Sequence, residues 1–163
     1  MSTPRPRWAW IALGLALGVA AALFLFVREP GRTLDAEALR EARARWQREG
    51  LTDYALEIET SGATQAAHRI EVRGGQVVSM TTNGREATRS AWEYWSVEGL
   101  FLFLDTEIAN AADPRRAFGV EPGQVVLRVR FEERWGYPEF FLRHVMGRGR
   151  GVEWRVVVFE PGG

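Results

Sequence analysis

Polar positions disappear over residues 8–27, WAWIALGLALGVAAALFLFV. As a helix this uncharged run spans about 30 Å, the thickness of a bilayer's hydrocarbon core. Trp8 and Trp10 stand at one end, where indoles favour the headgroup level, and Pro30 and Gly31 mark the exit. The pattern predicts an uncleaved signal anchor. A cleaved signal peptide is the alternative, but its apolar stretch normally runs about 7–15 residues. Here the run continues past Ala20, Ala21 and Ala22 to Val27. Arg5 and Arg7 before the run, against Arg28 and Arg32 after it, favour an N-terminus inside and a domain outside the cytoplasm. Gly14 and Gly18, with Ala22 beyond, offer a small face for helix pairing, although a span rich in Ala and Gly also yields that spacing by chance.

Beyond a short linker, residues 28–32, polar residues return and a period of 3.6 appears. Leu39, Ala42 and Trp46 form one narrow stripe between Leu34 and Glu49, with Thr33 or Asp35 as the cap and Gly50 as the stop. The period then changes to two. Tyr54, Leu56 and Ile58 alternate with Ala55, Glu57 and Glu59; Ile70 and Val72 alternate with Arg69, Glu71 and Arg73. Gly74-Gly75 turns the chain into a strand from Gln76 to Thr82, and Asn83-Gly84 signals a further turn. Val97 to Asn110 reads as a helix, although Leu100 to Leu104 taken alone also suits a strand. Asp113-Pro114 and Glu121-Pro122-Gly123 bound a loop. Three strands close the chain: Val125 to Phe131, Tyr137 to Val145 and Val152 to Phe159, with MGRGRG at 146–151 as a loop.

These elements predict an α+β fold: an antiparallel sheet of five to six strands with about two helices on one face, preceded by one N-terminal transmembrane helix. The expected division is a tail at 1–7, the anchor at 8–27, the linker at 28–32 and a single domain at 33–161.

Composition narrows the function. Twenty-one basic residues balance 21 acidic ones, which argues against a nucleic-acid binder working by bulk charge. The chain has no Cys, so disulfides, thiolate catalysis and Cys-ligated metals are excluded. Its basic residues are all Arg, so arginine at a given position carries little information. His68 and His144 sit in no metal-ligand spacing, and neither a nucleophile elbow nor a Walker loop is present. The acids Glu57, Glu59 and Glu132 are explained by alternating surface charge. Seven Trp are many for 163 residues; Trp92, Trp95, Trp135 and Trp154 suit either a core or an exposed patch.

Several short segments resemble a bacterial extracytoplasmic domain family of unknown function. They are the helix ending in Trp46, the Asp53-Tyr54 pair, the strands around Val72 to Val78, the stretch Val97 to Ala111 and the Gly136-Tyr137-Pro138 hairpin. The resemblance covers about Leu39 to Phe159. It implies a small α+β domain behind a lipoprotein signal or membrane anchor. Many members carry a cysteine pair after the Asp-Tyr strand, and acidic residues after the hairpin. Here Thr60 to Ala67 holds no Cys, and the loop of Arg148 and Arg150 stands in place of the acids, so neither a redox role nor a ligand carries over.

The expectation is a single-pass protein of the inner or plasma membrane whose outer domain recognises a protein or envelope component without catalysis. Gly136, Tyr137, Pro138, Arg148 and Arg150 form the expected contact patch. No cofactor, metal or nucleic-acid partner is expected. One alternative is a small enzyme using scattered acids and His144; another is a ligand-binding module released by signal cleavage.

Overall fold

The computed structural model describes residues 31–62, 64–149 and 151–162, so the predicted anchor at 8–27 lies outside the described residues. Among the described residues, no helix is long and apolar enough to cross a membrane. In chain order the elements are β1 (Arg32–Thr33), α1 (Ala36–Glu49), β2 (Tyr54–Gly62), β3 (Ala66–Arg73), β4 (Gln76–Thr82), β5 (Arg85–Glu86), a 3₁₀ helix (Arg89–Trp95), α2 (Val97–Ala112), α3 (Pro114–Phe118), β6 (Val125–Phe131), β7 (Pro138–Val145) and β8 (Val152–Pro161).

All eight strands join one antiparallel sheet in the order β1-β6-β7-β8-β2-β3-β4-β5. This corrects the expected five to six strands and two helices to eight strands and four helical segments. The additions are elements too short to show a period. Strands β1 and β5 are two-residue edge strands, matching Arg32 with Val129 and Thr82 with Arg85. Helix α3 has five residues, and Asp113-Pro114, read as a loop signal, is its start: Asp113 accepts from the Arg116 N–H and Pro114 takes the first turn, where its missing N–H costs nothing.

The six longer strands follow the binary pattern. Tyr54, Leu56, Ile58, Ile70, Val72, Leu127, Val129, Phe141, Trp154 and Val156 all point to one side and join a single core with Leu39, Ala42 and Trp46 of α1 and Leu100, Phe101 and Leu104 of α2. The opposite face carries charge, including the Arg69–Glu57 pair at 2.9 Å. Phe140 is buried on that face because the Arg130 and Arg155 guanidiniums lie over its ring, 5.4 and 5.5 Å from the centroid.

Caps set the ends of both long helices. Asp35 accepts from the Ala38 N–H at 2.8 Å, and Gly50, at φ 62°, closes α1 by donating its N–H to the Trp46 carbonyl. Ser96 accepts from the Gly99 N–H at 3.0 Å and starts α2 without a reciprocal acidic partner. Only half of a capping box is needed to satisfy one orphan donor.

Candidate functional site

Helix α2 is flanked by two hollows, and a missing side chain sets the larger one. A Cβ on Gly99 would lie 2.2 Å from the Glu93 carbonyl oxygen and 2.8 Å from that of Tyr94. Glycine therefore lets the 3₁₀ helix lie directly on the first turn of α2. This contact raises Tyr94 and Trp95 as one wall of a groove; Thr60, Val152 and Trp154, from the helix side of β2 and β8, make the other. Leu100 and Phe103 lie between the walls, and the cavity measures about 640 Å³. At the rim Tyr94 and Leu102 are 63% and 66% exposed, a large apolar surface left open on a helix otherwise seated in the core.

The aromatic walls are held from behind. Trp95 stacks on His68, with centroids 4.1 Å apart and planes at 26°. The imidazole Nδ1 lies 3.0 Å from Thr82 Oγ1, and burial holds His68 below its usual pKa. Trp154 stacks on Phe141 at 5.8 Å, and Phe103 meets the edges of both rings. Side chains fixed in this way lose little freedom when a ligand packs on them.

Glu107 closes the groove at its other end. It is 3% exposed and lines the cavity. Arg143 Nη1 donates to its Oε1 at 2.6 Å, and the same guanidinium lies over the Phe118 ring. Glu107 Oε2 is buried without a hydrogen-bond partner. Glu93, exposed on the 3₁₀ helix, is the other acid along the lining.

On the other side of α2, Glu98 gathers two aromatic donors. Trp46 Nε1 donates to Oε1 and the Tyr54 hydroxyl to Oε2, each at 2.9 Å. The Tyr54 oxygen also accepts from the Val97 N–H at 3.0 Å. Burial first, and then the Glu98 charge, push the Tyr54 phenol well above its usual pKa. The hollow here, about 360 Å³, is bordered by Arg43, Leu51, Phe101 and Leu102. Leu102 thus belongs to both hollows.

The expected contact patch is dispersed. Gly136, at φ 81°, packs on α1, where a Cβ would lie 2.5 Å from the Ala42 carbonyl oxygen. Tyr137 is 7% exposed and stacks on Phe159 at 4.4 Å, and Pro138 is buried. These three residues anchor the β6–β7 connection in the core and present little surface. Arg148 is exposed and donates to the Gly119 carbonyl at 3.2 Å, after α3; Arg150 lies outside the described residues. His144 is exposed opposite Val126, on the helix-free face of the sheet. No group of three or more His, Cys, Asp or Glu suited to a metal occurs among the described residues.

Asp53, beside Tyr54, has structural work. Its carboxylate accepts from the Gly74 N–H at 2.7 Å and its carbonyl from the Gly162 N–H at 2.7 Å, tying the β3–β4 turn to the end of β8. Sequence reasoning passed over Glu107. Its signal was a carboxylate continuing the Leu100–Leu104 stripe at helical spacing, where an apolar residue is the rule.

Fold and groove together define a small α+β domain: an antiparallel sheet whose one helical layer leaves an apolar hollow beside its middle helix. Residues 38–141 match a family of unknown function, DUF6174, and the chain belongs to that family. This agrees with the sequence resemblance at the level of a small α+β family of unknown function. The matched stretch holds α1, β2 to β5, the 3₁₀ helix, α2, α3 and most of the β6–β7 hairpin; Val152 and Trp154 of the groove lie beyond it. Among curated proteins, none matches the chain.

Proposed function

We propose that this chain is a membrane-anchored recognition module whose domain, outside the cytoplasm, holds a small apolar envelope component in the groove along α2. The observation that carries the reading is the groove itself: about 640 Å³, walled by Tyr94, Trp95, Phe103 and Trp154. That volume lies within the range of roughly 300–1,000 Å³ in which small-molecule sites fall. Of the two partner classes raised by the sequence, a small apolar component suits a walled hollow better than a protein surface does. Anchoring rests on the uncharged run from Trp8 to Val27, and the outward orientation on the arginines flanking it.

Recognition without catalysis is the better reading of the lining. Glu107 is committed to Arg143, and the other lining acid, Glu93, stands exposed on the 3₁₀ helix. The two are not arranged as facing members of an acid–base pair, since the Glu93 backbone meets Gly99 and Glu107 follows eight residues later, about 12 Å along the helix.

Mass spectrometry of small molecules retained by the full chain, purified from its native membrane in nanodiscs, tests the groove. Thr106→Arg places a charged side chain in the lining and is expected to empty it. Equal retention by wild type and variant refutes the assignment; a protein recovered in place of a small molecule refutes the ligand class. Protease protection of a tagged chain in intact cells tests anchoring and side.

A further inference from the structure

The two ends of the groove are chemically different, and the difference constrains the ligand. At the Glu93 end the carboxylate is exposed to water. At the Glu107 end the carboxylate is buried, its charge is already met by Arg143, and one oxygen lacks a donor. A buried acceptor left unpaired costs about 1–3 kcal/mol. A fold that tolerates such a deficit beside an apolar hollow is prepared for a group that supplies the missing bond.

We propose that the groove selects an uncharged hydrogen-bond donor carried on an apolar body: a hydroxyl or amide N–H that reaches Glu107 Oε2 while the body packs between Trp95 and Trp154. This rests on the groove being the binding site and adds the chemistry of what enters it. The charge balance excludes the competing head groups. An ammonium would bring a second cation to a carboxylate that Arg143 has neutralised. A carboxylate has no proton to give when ionised and meets acids at both ends of the lining. An ether or ester has no donor. Water does not reach Oε2 in the resting groove, so the donor arrives on a body that parts the lining side chains, as one wedged between aromatic rings does.

The test uses four probes sharing a naphthalene body: naphthylethanol, its methyl ether, naphthylethylamine and naphthylacetate. Binding is measured by calorimetry on the full chain in lipid nanodiscs, with empty nanodiscs as the blank. The alcohol is expected to bind about tenfold or more tighter than the ether, the amine to fall below the alcohol, and the carboxylate to bind most weakly. Glu107→Gln presents an amide N–H that serves the ether oxygen, so the gap between alcohol and ether closes. If that variant fails to fold, the wild-type series still decides. Equal binding of alcohol and ether, or tighter binding of the amine or carboxylate, overturns the donor selectivity and leaves the groove assignment standing. No binding by any probe, or alcohol binding unchanged in Thr106→Arg, overturns both.

Discussion

Tyr54→Phe removes one oxygen and with it two hydrogen bonds of different cost. The side chain is 1% exposed, and the ring keeps its packing against Trp46 and Phe159. The hydroxyl donates to Glu98 Oε2 and accepts from the Val97 N–H, one of the free donors at the start of α2. Glu98 is exposed, so water replaces the first bond and its loss falls at the low end of the range for a bond to a charged group, roughly 1.5 kcal/mol. Val97 is fully buried, and its orphaned N–H costs a further 1–3 kcal/mol or so. The expected loss is about 2–4 kcal/mol, a large part of a typical domain's stability. Urea unfolding of the full chain in nanodiscs reads it as a lower midpoint with an unchanged slope. A second readout comes from pH. The folded phenol sits above the unfolded value of about 10, so unfolded chains release this proton first and stability falls as pH rises past that value. The alkaline loss is expected to be shallower in Tyr54→Phe. A destabilisation below about 1 kcal/mol, with an alkaline limb like that of wild type, would refute the placement of this hydroxyl between Glu98 and Val97.

Gly99→Ala puts a methyl carbon 2.2 Å from a backbone oxygen, and overpacking of that kind costs about 1–3 kcal/mol. The 3₁₀ helix must lift, so probe binding in the groove is expected to fall with stability; binding unchanged at wild-type strength would separate the two. Arg143→Met strands the buried Glu107 charge and is expected to cost about 3–5 kcal/mol, whereas Arg69→Ala, in an exposed pair with Glu57, is expected to cost under about 1 kcal/mol. Comparable unfolding midpoints for the two variants would contradict that ranking. His68 binds its proton less readily folded than unfolded, so stability holds above about pH 6.5 and declines as pH falls through that value. The decline between pH 7 and 5 is expected to be steeper for wild type than for His68→Gln, and parallel unfolding-midpoint profiles would count against the buried stack with Trp95.

The alternating strands were legible because each has one wet and one dry face. Tyr54, Leu56 and Ile58 announced their side through their neighbours Ala55, Glu57 and Glu59. The middle helix was legible in outline, ending at Ala112 rather than near Asn110. What escaped had no period to show. A two-residue strand such as Arg85–Glu86 is defined by its partner Thr81–Thr82, not by its own sequence. The hairpin at Gly136-Tyr137-Pro138 looked like a contact because aromatic and glycine residues together suit either a surface or a tight core turn. The clearance between Gly136 and Ala42 decided between them, and that distance depends on how α1 docks. The groove was illegible for the same reason. Trp95 and Trp154 stand 59 positions apart, and only the pairing of β8 with β2 sets them on facing walls.

That pairing also governs how the chain can assemble. Strands β2 to β5 form one run of neighbours and β1, β6 and β7 another, and β8 alone joins them. The strand made last by the ribosome is therefore the keystone. Until it emerges, β2 shows a bare edge to other chains, and the two half-sheets have no backbone bonds between them. Such late, distant closure makes for slow folding and a long window for aggregation. A stop codon anywhere after Val145 would remove few residues, yet would leave two fragments of a sheet in place of a shortened one.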